Sequence, residues 1–224
     1  MSMHLERELE NLKKKLLNLS SLVEQNLSKA VRALSERRET LALEVQAGDK
    51  IIDLKEVEVE EDCLKILALH QPVAIDLRFV IATLKINNDL ERIGDLAMNI
   101  ARRARYLCRQ KPLEIPFDYN TLVDSTKAML SNSLDALVQM DIKLAQSVLE
   151  ADDEVDALNR EAYNHVFYGI KNNPELVEPL IHYLNISKNL ERIADYATNI
   201  AEDVIYMVEG RIVRHGVDQN YGAS

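Results

Sequence analysis

The sequence has few of the residues that break helices and few cysteines that could cross-link a small domain. Its 224 residues include 6 glycines, 5 prolines, 2 cysteines and no tryptophan, and only 5% are aromatic. An all-β fold needs many tight turns, so the scarcity of glycine and proline favours long helices instead. Cys63 and Cys108 form neither a CxxC pair nor a disulfide framework, and reduced thiols are the simplest interpretation.

The chain also lacks a long apolar run and an excess of positive charge. No apolar run reaches membrane-spanning length, and the charged N-terminus is not typical of a signal peptide. Lysine and arginine total 27 against 37 aspartates and glutamates, a formal net charge of -10. Because phosphates would repel such a chain, we expect no nucleic-acid partner. We interpret it as a soluble, cytoplasmic globular protein.

Apolar residues recur three and four positions apart, which is the spacing of an amphipathic helix packed against one core. One such stripe comprises Leu9, Leu12, Leu16, Leu19, Val23, Leu27, Ala30 and Leu34. The stripe predicts a first helix over residues 5–35, roughly 45 Å long at 1.5 Å per residue. A helix of this length suits packing in a bundle.

The same periodicity predicts five more helices and therefore an all-α fold. They cover about 40–69, 72–108, 120–140, 141–171 and 174–208. We place Pro72 in the first turn of the third helix, where its missing N–H does no harm. Gly48 is expected to loosen the second helix. Two prolines four positions apart, Pro112 and Pro116, would break a helix, so 112–117 is the predicted linker.

The second half of the chain repeats the first. Residues 90–101 match 190–201 at nine of twelve positions, an offset of 100. Upstream, the aspartates at 49 and 53 correspond to those at 152 and 156, an offset of 103. The offset changes between helices, where loops tolerate differences in length. We predict two tandem, similar three-helix bundles, residues 1–111 and 118–215, followed by a short disordered tail, 216–224.

Each repeat carries two acidic pairs with four-residue spacing. They comprise Asp49/Asp53 and Glu91/Asp95 in the first repeat, and Asp152/Asp156 and Glu191/Asp195 in the second. Residues four apart lie one above the other on a helix face. If two pairs meet from neighbouring helices, four carboxylates converge, and without a cation some must take up protons. Carboxylate oxygens suit Mg²⁺, Mn²⁺, Ca²⁺ or iron, so we predict these eight residues as metal ligands.

Two other interpretations stay open. Acidic residues at this spacing are common on solvated helix faces, so the chain could be a plain helical scaffold without metal. It could also be a carboxylate-bridged, metal-dependent hydrolase that acts on phosphate esters with two ions. The Glu-x-x-His spacing of di-iron bundles, a phosphate-binding glycine-rich loop and a nucleophile elbow are all absent. We therefore expect a protein that is not an enzyme.

At these residues the sequence resembles the PhoU family of phosphate-signalling regulators. The resemblance covers nearly the whole chain. It rests on the two Leu-Glu-Arg-Ile-x-Asp segments, the two upstream Asp-x-x-x-Asp pairs, and Gln71-Pro72 followed by Asp76-Leu77-Arg78. It implies two three-helix bundles in an elongated molecule. It also implies a cytoplasmic, often dimeric protein that negatively regulates the phosphate-starvation response and phosphate uptake.

The resemblance implies partners and a cofactor as well. Family members are thought to couple a phosphate ABC transporter to a sensor histidine kinase, and their acidic motifs hold multinuclear clusters of iron or zinc. These roles carry over to the eight acidic residues named above. Asn88 and Asp89 become Lys188 and Asn189 in the second repeat, so its site has less negative charge and its occupancy could differ. Inorganic phosphate could bind through the metal, because a cation inverts the local electrostatics.

Overall fold

The structure, a computed structural model, describes residues 3–211 as six long helices and no strand. The helices are α1 (Met3–Ser35), α2 (Glu39–His70), α3 (Ala74–Cys108), α4 (Tyr119–Gln139), α5 (Ile142–Asn172) and α6 (Val177–Glu209), with a 3₁₀ turn at Pro174–Leu176 before α6. The first three helices pack together, and so do the last three. The prediction of an all-α fold with two tandem three-helix bundles is confirmed. The predicted tail, and the predicted end of the second unit at residue 215, lie outside the described residues.

Local side-chain chemistry sets several of the helix ends. Asp118 accepts a hydrogen bond from Thr121 N at 3.1 Å and begins α4, and Asp141 accepts one from Lys143 N at 2.9 Å and begins α5. Both are aspartate N-caps that satisfy otherwise unpaired amides. Gly210 ends α6 in the left-handed conformation at φ 72°, which favours glycine. The predicted linker falls within residues 109–118, which are not helical.

Two predictions about the helices were wrong in detail. Pro72 is not in the first turn of α3, because Gln71 is left-handed and Val73 is extended, so the proline separates the two helices. Gly48 does not loosen α2, which continues through it. A Cβ at Gly48 would lie 2.5 Å from Oδ1 of Asn26, a buried side chain of α1. The glycine therefore allows α1 and α2 to approach closely.

The two bundles meet along α3 and α6, which run antiparallel. Lys85 Nζ lies 3.2 Å from Asp203 Oδ1 near one end of this contact. The rings of Tyr106 and His182 stack with centroids 4.1 Å apart near the other end. Because α3 and α6 are equivalent helices of the two repeats, their antiparallel contact relates the bundles by an approximate twofold axis.

The main buried core is continuous across both bundles. It contains apolar residues of all six helices, including Leu19 of α1, Ile86 of α3 and Ile186 of α6. A smaller core built around Leu12, Cys63 and Ile66 fills the far end of the first bundle. Within residues 3–211, none of the helices combines the length and the apolar character needed to cross a membrane.

Candidate metal centres

In each bundle, two antiparallel helices present facing rows of polar side chains. On α3 the row occupies positions 87, 91 and 95, spaced by four, so its members share one face. On α2 the facing row occupies positions 49, 53 and 56. We refer to each set of facing pairs as a ladder and to each pair as a rung. The first ladder has the rungs Asp49–Asp95, Asp53–Glu91 and Glu56–Asn87; the second, between α5 and α6, has Asp152–Asp195, Asp156–Glu191 and Asn159–Ser187.

The first ladder holds its carboxylates in a partly buried, mutually repelling group. Burial raises the pKa of Asp49, and the carboxylates of Asp53 and Asp95 raise it further. Burial also raises the pKa of Glu91, followed by the effect of Asp95. Arg92 partly offsets the repulsion, because its Nε lies 3.4 Å from Glu91 Oε2 and its Nη1 lies 3.5 Å from Asp95 Oδ2. An arginine therefore shares this acidic face.

The second ladder brings its acids closer together. One carboxylate oxygen from each of Asp156, Glu191 and Asp195 lies within 4.8 Å of the others. Burial raises the pKa of Asp195, and the neighbouring carboxylate of Asp156 raises it further. Burial likewise raises the pKa of Asp152, and the carboxylate of Asp195 adds to this effect. Within residues 3–211, Asp156 has an ion pair with Arg160 at 3.7 Å, whereas Glu191 and Asp195 have none within 4.0 Å.

The donor set of both ladders fits a hard or borderline metal ion. Carboxylate oxygens bind such cations, and the close acids of the second ladder repel one another, a repulsion that Arg160, Lys188 and Arg192 offset only in part. In the first ladder, Asn87 Oδ1 is buried and has no hydrogen-bond partner among residues 3–211. A buried carbonyl oxygen without a donor is costly, and a metal ion would satisfy it.

All eight predicted ligands lie on the two ladders, but the sites are not equivalent. The close group of three carboxylate oxygens is found, among the described residues, only in the second ladder. The third rung was missed by the sequence analysis, which considered only acidic pairs spaced by four. The offset of 103 that relates Asp53 to Asp156 also relates Glu56 to Asn159, and this signal could have found the rung.

The fold and its ladders define an all-α protein built from two repeats, each with a row of facing acidic side chains. The model of the PhoU domain matches residues 16–104 and again residues 120–204. The chain therefore belongs to the PhoU family, as the resemblance indicated.

Similar proteins match over nearly the whole chain. The phosphate-specific transport system accessory protein PhoU homolog of Aquifex aeolicus is 39% identical over 95% of this chain and 96% of its own length. The homolog with the same description from Pseudomonas putida is 38% identical, over 93% and 82%. The PhoU family consists of regulatory accessory proteins. The interpretation that this chain is not an enzyme is therefore confirmed.

Solved structures show the same architecture. The crystal structure of PhoU from Pseudomonas aeruginosa superposes with a TM-score of 0.88 at 37% identity, covering 92% of this chain and 99% of that one. The phosphate transport system regulatory protein PhoU from Streptococcus pneumoniae gives 0.81 at 31% identity, over 93% and 99%. Two experimental structures therefore share the paired-bundle fold over almost their full lengths.

Proposed function

We propose that this protein negatively regulates the phosphate-starvation response and phosphate uptake by coupling a phosphate ABC transporter to a sensor histidine kinase. The observation that carries the proposal is its membership of the PhoU family over both repeats. Its relatives are named as accessory proteins of the phosphate-specific transport system, which supports a role in regulating that system. The link to a kinase rests on the family resemblance.

The second part of the proposal is that the two ladders bind metal. The support is the close group of Asp156, Glu191 and Asp195, whose mutual repulsion a cation would relieve. Iron or zinc is the expected metal, with manganese, magnesium or calcium as other candidates. When bound, the metal supplies a positive centre that can accept an anion such as inorganic phosphate. The carboxylates of α2, α3, α5 and α6 hold it at the surface where partners can reach it.

The third part concerns the setting in which the protein acts. The family resemblance supports a cytoplasmic homodimer that meets its transporter and kinase peripherally. The net charge of -10 supports partners other than nucleic acid, since phosphate backbones would repel the chain.

The regulatory role can be tested in a bacterium whose own PhoU gene has been deleted and which carries a phosphate-responsive reporter. This chain should restore repression of the reporter in phosphate-rich medium. A variant in which Glu91, Asp95, Glu191 and Asp195 are changed to alanine should restore little repression, although it accumulates to the same level.

A matched variant separates site loss from charge loss. Glu10, Glu61, Glu154 and Glu175 are exposed and lie off the ladders, so changing these four to alanine alters the net charge equally. This control should repress like the parent. Failure of the parent chain to repress at all would overturn the regulatory proposal. Equal repression by the parent, the site variant and the control would show that the acidic residues are not needed for regulation.

A further inference from the structure

The outer face of α2 carries a row of exposed residues whose spacing alternates between four and three positions. We refer to these eight residues as the outer row: Leu43, Ala47, Lys50, Leu54, Val57, Glu61, Leu64 and Ala68. All of them are exposed, and all but the lysine and the glutamate are apolar. This spacing keeps a row on one face of a helix and is typical of a helix that packs lengthwise against another.

The outer row lies opposite the face of α2 that packs on the core. The core face includes Val45, Ile52 and Val59, each at most 1% exposed, where α2 meets α1 and α3. Leu54 and Leu64 of the outer row are 67% and 53% exposed. The helix therefore has apolar residues on both faces, and packing within the chain accounts for only one of them.

The equivalent face of the second repeat is polar. On α5, the offset of 103 places these residues at the positions of the outer row: Gln146, Glu150, Asp153, Ala157, Arg160, Asn164, Phe167 and Lys171. All but the alanine and the phenylalanine are polar or charged. Both α2 and α5 carry a ladder and hold equivalent places in the fold, so neither feature requires an apolar outer face. The outer row instead indicates a contact that only the first repeat makes.

The charges of the outer row are complementary to each other when two copies of α2 run antiparallel. A pair centred between positions 55 and 56 places Lys50 opposite Glu61 of the second copy, and Glu61 opposite Lys50 of the second copy. Within residues 3–211, Lys50 has no ion pair within 4.0 Å, and Glu61 has a long one with Lys65 at 3.7 Å. A parallel pair would instead place lysine against lysine and glutamate against glutamate.

The sizes of the side chains match in the same register. Toward both ends of the contact, a leucine of one copy faces an alanine of the other, and beside the centre a leucine faces a valine. Small residues opposite large ones let two helices pack closely along their length. The row spans roughly 38 Å at 1.5 Å per residue. The facing apolar pairs are Leu43–Ala68, Ala47–Leu64 and Leu54–Val57.

We infer that two copies of this chain dimerise through their outer rows, with the two α2 helices antiparallel about a twofold axis between positions 55 and 56. The inference rests on the proposed homodimer and names its surface and orientation. A twofold dimer uses the same surface on both copies, so that surface must be complementary to itself. The outer row meets this requirement in both charge and size, which a contact with an unrelated protein would not demand.

The surface is tested by introducing a charge into the outer row of the full chain. Sedimentation equilibrium in EDTA measures the dissociation constant of the dimer. L64E should weaken it about a hundredfold or more, because each dimer would bury two added carboxylates. F167E is the matched control: Phe167 is the equivalent residue of α5, and its exposure of 55% is close to that of Leu64, so the dimer should be unchanged.

The orientation is tested by exchanging the two charges. K50E and E61K should each weaken the dimer about tenfold, because like charges then face each other twice in the antiparallel pair. The double variant K50E/E61K should restore the parent's dissociation constant, and an equimolar mixture of the two single variants should form a heterodimer. E61A is the control for simple loss of a charge, and it should dimerise like the parent because alanine fits the apolar row.

The outcomes separate the two proposals. A parent chain that stays monomeric overturns the proposed homodimer and this inference with it. A dimeric parent whose association survives L64E, or is lost equally in F167E, overturns the inference while the homodimer stands. Failure of K50E/E61K to recover what the single reversals lose overturns the antiparallel register. If circular dichroism shows lost helix in L64E, the charge variants alone decide.

Discussion

At the scale of single residues, the ladders keep carboxylates close together at a cost to the metal-free protein. Burial and neighbouring acids both raise the pKa of Glu191 and of Asp195, which means that their charged forms are disfavoured in the folded state. Proteins rarely hold such groups without a partner that repays the cost. The bound metal is the partner that we propose.

Changing Glu191 to glutamine should therefore stabilise the metal-free protein and weaken the stabilisation by metal. Removing one repelling charge should raise the free energy of unfolding by about 0.5 kcal/mol at pH 7. With excess Mn²⁺ the order should reverse, because a ligand that binds only the folded state adds stability to the parent. Urea denaturation with EDTA and with Mn²⁺ measures both. E154Q, at an exposed site on α5, should change neither value.

A packing difference beneath the ladders gives a second residue-scale prediction. A Cβ at Gly94 would lie 3.2 Å from Ile52 Cγ2, whereas the second repeat has Ala194 and Val155 at these positions. Gly94→Ala should lower the free energy of unfolding by about 1 kcal/mol, since overpacking outweighs the gain in helix propensity. Adding Ile52→Val should recover part of this loss. A double-mutant cycle should give a coupling of 0.5 kcal/mol or more in magnitude; strict additivity would contradict the packing argument.

At the scale of helices, Glu39 links the start of α2 to the end of α3. Arg109 and Arg105 both donate to its carboxylate, the latter from Nε at 2.7 Å. These two arginines lower the pKa of Glu39 to about 2. The pairing joins two helix ends that are far apart in sequence.

The stability contributed by Glu39 should depend on pH in a defined window. Its folded pKa lies below its ordinary value of 4.5, so the contribution is complete above that value and is lost as pH falls through about 2. The parent should therefore exceed E39Q in urea midpoint at pH 6, and the difference should shrink at pH 2. A difference that is the same at both pH values would show that the ion pairs do not carry the effect.

The helices were predictable from the sequence. Where the structure differs from the prediction, the cause is local. The three-to-four spacing of apolar residues predicted the extent of α1 closely, because that pattern depends on one core-facing stripe. Pro72 was misplaced because the conformation of Gln71 decides where α2 ends. Glu56 escaped notice because its partner Asn87 is neutral, and only the facing of α2 and α3 joins them.

At the scale of the molecule, the repeat in the sequence becomes an approximate twofold axis in the structure. Lys85–Asp203 and Tyr106–His182 show that α3 and α6 run in opposite directions. The two ladders therefore also run in opposite directions, and their third rungs lie toward opposite ends. The sequence predicted two equivalent units but not this arrangement, because helical periodicity does not reveal which helices of different units meet.

The direct test of metal binding at the ladders is the metal content of the untagged protein, measured by mass spectrometry. It is compared with the variant in which Glu91, Asp95, Glu191 and Asp195 are changed to alanine. The prediction is metal close to stoichiometric in the parent and lost in a variant that circular dichroism shows to be still helical. Equal metal in both proteins, or none in the parent after incubation with iron, zinc, manganese and magnesium, would contradict it.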